Sequence, residues 1–549
     1  MHSLAIANGA GGLAATGIDS KVMRHSAYDS PPGSVEQYAA PDSATAAFQN
    51  VPHNASRVLE LSLPAAQHGL GAIDLAIVAA YLCGITWFGL RFRRQPRSLR
   101  NYFLADKSIS WWAIALSIVA AETSTLTIIS IPGLAYQTDL AFLQLVFGYL
   151  LARTIICAIF IPQYFRGEMF TAYELIERRF GPRLRSITAG LFLLTRAAAE
   201  GVRVFAISIV IGIALGQGEI ASIAIITAMT LLYTFEGGLA AVIWTDVVQL
   251  CIYLAGTLVA LGMLLHLIPG GWAGMHAIAA EKFRVFDFSL SMAAPYTLWA
   301  GIIGGTFLTM ASHGTDQLMV QRLLAAKSER DSKKALLASG VAILFQFTLF
   351  LIVGIALFAY YRLPAESFGK ADRIFPTYIV NALPHGLAGL LVAAVLAAAM
   401  SNLSAALNSL STSSMVDFYL RWRPLADDGS RMRLSRGLTV IWAVVLFGLA
   451  LLSRRGGRVL EVGLSIASVA YGAMLGVFLL GILTRRANSR GALIGMLCGL
   501  ALNLFLWLAP EAARQVTGFA VAWTWYVTLG TIVTFSVGYL ASFVAAKHD

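Results

Sequence analysis

The stretch Trp111–Tyr136 reads WWAIALSIVAAETSTLTIISIPGLAY, with two apolar arms flanking the polar run Glu122-Thr123-Ser124-Thr125. The arms suit a bilayer, but a carboxylate near its middle costs about 2.5–3.5 kcal/mol, so such a group normally faces a cavity. Thr and Ser are indifferent helix formers, and a run of them favours local unwinding. Backbone carbonyls freed by such a break are hard oxygen donors, suited to a small hard cation. The plainer reading is that the hydroxyls only bond back to the helix. The expectation is a membrane span broken at its centre.

Similar apolar stretches run from Ala72 to Ala546. Cut at charged or Pro/Gly-containing interruptions, they give an all-α multi-pass membrane protein of about thirteen transmembrane helices. The helices are expected near 72–90, 110–134, 140–163, 187–214, 218–235, 238–266, 294–312, 335–361, 386–413, 434–452, 460–483, 489–509 and 522–545. Of the residues 58% are hydrophobic and only 13% charged, with a mean hydropathy of +0.71. Soluble domains carry roughly 25% charged residues, so length here measures membrane crossings. Residues 1–70 hold scattered charges with Gly, Ala, Ser and Pro and no signal-peptide core, and are expected to form a disordered tail.

The net charge of +11 sits in short clusters between apolar spans, which argues against nucleic acid and for topology signals. Basic residues follow alternate spans: Arg91 to Lys107, Arg166 to Arg185, Arg322 to Lys334, Arg421 to Arg436 and Arg485 to Arg490. Positive-inside bias then places these loops and the C-terminus in the cytoplasm and the N-terminus outside, in the plasma membrane. Arg454, Arg455 and Arg458 dissent. Cys83, Cys157, Cys251 and Cys498 lie inside apolar spans without CxxC spacing, and are expected to be small apolar filler. No interior loop carries a Gly-rich phosphate site, and no span carries a catalytic constellation, which excludes an ATP-driven pump and an enzyme. His313, before Gly314 and Asp316, is expected to cap a helix or lie in a loop.

Two further segments break the apolar pattern. Arg196, Glu200 and Arg203 fall four and three residues apart, on one helix face. Arg196 and Glu200 suit an internal pair, while Arg203 either shares Glu200 or clamps a substrate carboxylate. The segment Met400 to Ser414 carries Ser401, Asn402, Ser404, Asn408, Ser409 and further hydroxyls. The first of these are candidate cation ligands, whereas Ser409 to Ser414 better suit a close helix interface. Asp246, in WTDVVQ, is the remaining deep acid.

Three motifs, Tyr233–Gln249 (YTFEGGLAAVIWTDVVQ), Gly314–Ser328 (GTDQLMVQRLLAAKS) and Ala397–Tyr419 (AAAMSNLSAALNSLSTSSMVDFY), resemble the sodium:solute symporter family, which includes proline, galactose, sialic acid, iodide and vitamin transporters. The resemblance covers about residues 72–545, which it makes the symporter domain. It implies two inverted five-helix repeats, about 110–266 and 294–483, each opening on a broken helix, with one extra helix before and two after. The second broken helix is expected at 294–312, where Gly301, Gly304 and Gly305 supply flexible backbone.

The same resemblance implies sodium as coupling ion, held by the carbonyls of Ala120, Thr123 and Ala398 and the side chains of Ser401 and Asn402. Asn402 stands where the family usually has Ser or Thr. A second ion or coupling position falls on Asp246 and Ser404, but Ala405 lacks the oxygen for two sodium ions. Substrate contacts are implied at Glu122, Ser124, Thr127, Arg203 and Gln144, pointing to a small carboxylate-bearing solute. The sequence leaves open a zwitterion or sugar as solute, and a proton-coupled or uncoupled carrier on the same scaffold. The lipid bilayer and the solute are the expected partners, with no obligatory protein partner.

Overall fold

A computed structural model describes residues 70–91, 103–215, 219–423, 428–453 and 459–545. The expected N-terminal tail, apart from Leu70, lies outside these, as do Arg93, Arg94, Arg97, Arg100 and Arg454 to Arg458. The described residues are overwhelmingly helical and contain no strand, only one isolated bridge between Ile109 and Ala326. An all-helical bundle satisfies its backbone groups internally, as a bilayer requires.

The principal helices are α1 (Ala72–Leu90), α2 (Trp111–Glu122), α3 (Thr125–Gln137), α4 (Leu143–Ile159), α5 (Pro182–Leu215), α6 (Glu219–Leu267), α7 (Gly305–Gly314), α8 (Gln317–Leu324) and α9 (Glu329–Tyr361). They continue with α10 (Leu387–Ser413), α11 (Asp428–Leu452), α12 (Val459–Leu483), α13 (Ser489–Leu508) and α14 (Tyr526–Ala545). Among the described residues eight helices are long and apolar enough to cross a membrane, or nine if the bent pair α2 and α3 counts as one. Helical backbone also falls within the other expected spans. Helix α4 has 17 residues, about 26 Å at 1.5 Å per residue, slightly under the bilayer core. Helix α5 carries Arg196, Glu200 and Arg203 in its interior. Expected spans near 218–235 and 238–266 both fall within helix α6, where Leu239–Leu267 forms one of the eight.

The break in the first span falls where the polar run lies. Helix α2 ends at Glu122, Thr123 and Ser124 are extended (φ −82°, ψ 93° and φ −86°, ψ 171°), and α3 departs at 60°. The second interruption falls at Thr315–Asp316, not at Gly301–Gly305. Gly301 and Gly304 lie in a π-helical turn (Ala300–Gly304) that runs on into α7. Gly301 and Gly305 serve packing against α4, where a Cβ on Gly148 would lie 2.3 Å from the Gly301 carbonyl oxygen and one on Gly305 2.6 Å from that of Leu145, while Gly304 faces the Thr524 carbonyl. Asp316 instead starts the next helix, accepting the Leu318 N–H at 2.9 Å, a strong N-cap that lets the chain turn.

Helix α10 is the core of the bundle, and every residue from Leu391 to Ser413 is buried. Its distal hydroxyls are satisfied locally. Ser409 donates to the Ala406 carbonyl at 3.0 Å, Thr412 to that of Asn408 at 2.7 Å, and Ser411 to Ser435 of α11 at 2.9 Å. Helices α6, α5, α1 and α11 pack around it, and the end of α2 meets it beside the break.

Candidate functional site

The broken helix and α10 meet at the positions singled out as cation ligands. As α2 ends, its last carbonyls lose intrahelical partners. Among the described residues no backbone N–H bonds to the carbonyls of Ala120 or Thr123. The Ala121 carbonyl accepts from Asn402 Nδ2 at 2.8 Å, which places Asn402 against the break. Ser401 donates to Asp246 Oδ1, and Ala398 is buried one turn earlier on the same helix. The Thr123 hydroxyl donates to the Val119 carbonyl at 2.7 Å and accepts from Gln346 Nε2 at 2.5 Å, while its carbonyl accepts no backbone N–H.

Asp246 lies at the centre of a buried network. Its Oδ2 accepts from Ser117 Oγ at 2.6 Å and from Arg322 Nη2 at 2.9 Å, and Arg322 Nε donates to the same serine at 2.8 Å. Four elements, α2, α6, α8 and α10, are tied at one carboxylate. Ser404 donates to the Ser401 carbonyl at 3.0 Å and makes no direct bond to Asp246. Arg322, counted above with the topology signals, is buried and paired here; Arg185 is likewise buried, 2.8 Å from Asp417.

Beside the break lies a cavity of about 90 Å³ that opens toward solvent. Ser124, Thr127 and Glu122 line one side, Arg196, Arg203 and Tyr471 another, and Phe142, Tyr149 and Phe347 supply aromatic walls. Aromatic walls with a few convergent polar groups are the lining of a site for a small organic solute. Arg153, Arg196 and Arg203 face Glu122, Glu200 and Asp316, so the formal charges around the cavity balance. Glu122 pairs with Arg153 of α4 and stands 3.3 Å from His313 Nε2. Glu200 holds Arg196 at 2.9 Å and Arg203 at 2.6 Å. Asp316 accepts from Tyr471 at 2.7 Å and stands 3.4 Å from Arg196. Side-chain exposure separates the three arginines: 1% for Arg153, 5% for Arg196 and 19% for Arg203. Only Arg203 presents an appreciable face to an incoming anion.

A model of the sodium:solute symporter family matches residues 102–499, well over half of the chain. The chain belongs to the sodium:solute symporter family. The sodium/sialic acid symporter NanT of Aliivibrio fischeri is 28% identical over 86% of this chain and 93% of its own length. The sodium/sialic acid symporter SiaT of Proteus mirabilis is 28% identical over 88% and 97%. The human sodium/iodide cotransporter is 29% identical over 80% and 70%. A solved structure of a Na+-coupled sialic acid symporter in a substrate-bound outward-open state superposes with a TM-score of 0.77 at 25% identity, covering 86% of this chain and 98% of that one. As a sodium:solute symporter the chain is a membrane transporter and not an enzyme, and sodium is its coupling ion.

Not every expected contact of this symporter reaches the cavity. Gln144 is fully buried with both ends of its amide spent: Nε2 donates to the Tyr296 carbonyl at 2.8 Å, and Oε1 accepts the Asp287 N–H at 3.0 Å. It fastens the 284–299 segment over α4. His313 is a buried cavity-lining residue beside Glu122, not a loop or cap residue. Arg153, Asp316 and Tyr471 were not singled out from sequence. The cost of a mid-span charge flags Arg153 by the same rule that flagged Glu122.

Proposed function

We propose that this sodium:solute symporter carries a small carboxylate-bearing solute into the cell by alternating access. Sodium binds between the carbonyls of Ala120, Thr123 and Ala398 and the side chains of Ser401 and Asn402, and the solute binds in the adjacent cavity. The observation that carries this reading is the unwound Thr123–Ser124 joint, beside which Asn402 bonds the Ala121 carbonyl at 2.8 Å, with Arg203 exposed to the cavity. Sialate transport by the relatives supports an anionic solute, because sialate is a carboxylate. Within this reading Glu122, Ser124 and Thr127 line the solute site and Arg203 clamps its carboxylate. Asp246, with Ser401 and Ser404, couples the ion site to helices α2, α6 and α8.

The transport unit is residues 72–545, built as inverted repeats of about 110–266 and 294–483, in the plasma membrane with the N-terminus outside and the C-terminus in the cytoplasm. Sodium stabilises the solute-competent arrangement, and the membrane potential adds about 2.3 kcal/mol per charge per 100 mV. The test is uptake of labelled sialate and of a series of small carboxylates into proteoliposomes under an inward sodium gradient. An Arg203→Ala protein is expected to lose at least about tenfold in affinity for the transported carboxylate, the worth of one charge-assisted bidentate contact. Unchanged affinity contradicts the clamp.

A further inference from the structure

We infer that Asn402 is a positioning residue that makes sodium binding and carboxylate binding depend on each other through Arg203. The inference rests on the reading of Asn402 as a sodium ligand. Asn402 touches both sites at once: Arg203 Nη1 donates to its Oδ1 at 3.3 Å, and its Nδ2 donates to the Ala121 carbonyl of the broken helix at 2.8 Å. A guanidinium has only donors and a peptide carbonyl only lone pairs. The partners therefore fix which way the amide points.

In this arrangement the amide aims N–H groups at the break, where a cation needs an oxygen. To ligate sodium, the Asn402 amide turns over and brings Oδ1 to the carbonyls. Nδ2 then faces Arg203, donor against donor, and Arg203 has to leave. It has somewhere to go, since its side chain is 19% exposed to the cavity and Glu200 keeps it tethered at 2.6 Å. A substrate carboxylate in the cavity offers that guanidinium a bidentate partner. Each ligand thus removes an obstacle to the other, and by linkage the effect is reciprocal. A Ser or Thr hydroxyl, the usual group at this position in the family, keeps lone pairs whichever way its proton points, and imposes no such switch.

A sodium titration of the full-length purified protein, read as thermal stabilisation at constant ionic strength with choline and with no solute present, tests the relay. Arg203→Ala is expected to tighten half-saturation by sodium by about fivefold or more, the low end of site-to-site coupling. In an Asn402→Ser background the same substitution is expected to change it by less than about twofold, because only the general charge effect remains. Equal shifts in both backgrounds, or none in the wild-type background, overturn the relay. Arg203→Gln, whose amide can donate or accept, serves if Arg203→Ala does not fold, with the same two expectations. Ser401→Ala separates the two layers of the inference. If it keeps the sodium response, the ion-site reading fails and the relay with it; if it abolishes the response while the Arg203 shifts are equal, only the relay fails.

Discussion

Glu122 and Arg153 meet from α2 and α4 beside the break, and neither is tolerable in a membrane core without the other. Arg153 is also held by Ser339 at 3.2 Å, the Tyr149 carbonyl at 3.2 Å and His313 Nε2 at 3.4 Å, so it is fixed as a counter-ion and not free to follow a solute. Arg153→Ala leaves Glu122 with only the His313 imidazole beside it, 3.3 Å away, and a loss of about 3 kcal/mol in unfolding stability is expected, the low end for breaking a buried pair. Adding Glu122→Gln removes the orphaned charge and is expected to restore much of that loss. A double variant no more stable than Arg153→Ala contradicts the pairing. Glu122 was legible in the sequence because a lone acid in an apolar run is costly wherever it points. Its partner was not, because thirty-one positions separate them and only the fold brings them together. Arg322 shows the converse: its place in a basic cluster suggested a loop, and its burial against Asp246 became visible only in three dimensions.

Individual elements were legible to different degrees. The first broken helix could be placed to the residue, since the Glu-Thr-Ser-Thr run is both polar and a poor helix former, and the backbone opens there. The second interruption was displaced, because glycine has two uses that sequence does not separate: a flexible joint and a close approach. Gly148, Gly301 and Gly305 take the second use, letting α4 and the Ala300–Gly304 turn touch backbone to backbone. A methyl group at 148 has no room, so Gly148→Ala is expected to cost about 1–3 kcal/mol and to lower transport by forcing apart the helices that flank the cavity. Thermal unfolding and uptake measured together check this. An unchanged melting temperature contradicts the tight crossing. The length of α6 was also illegible, since Phe235 to Gly238 punctuate the sequence without ending the helix.

For the whole molecule, the membrane class and family were legible because hydropathy and long motifs are properties of the chain rather than of contacts. The solute was not, since which charged groups keep an open face toward the cavity is a matter of burial and pairing. The fold places one uncommitted cationic face, aromatic walls and an unwound joint around a single space, and that assembly predicts a solute whose binding depends on sodium. The most direct test is thermal stabilisation of the purified protein against a panel of carboxylates, amino acids and sugars, in sodium and in choline. Stabilisation by a carboxylate in sodium but not in choline is the predicted result, and an equal response in both buffers would contradict sodium-coupled binding at this site.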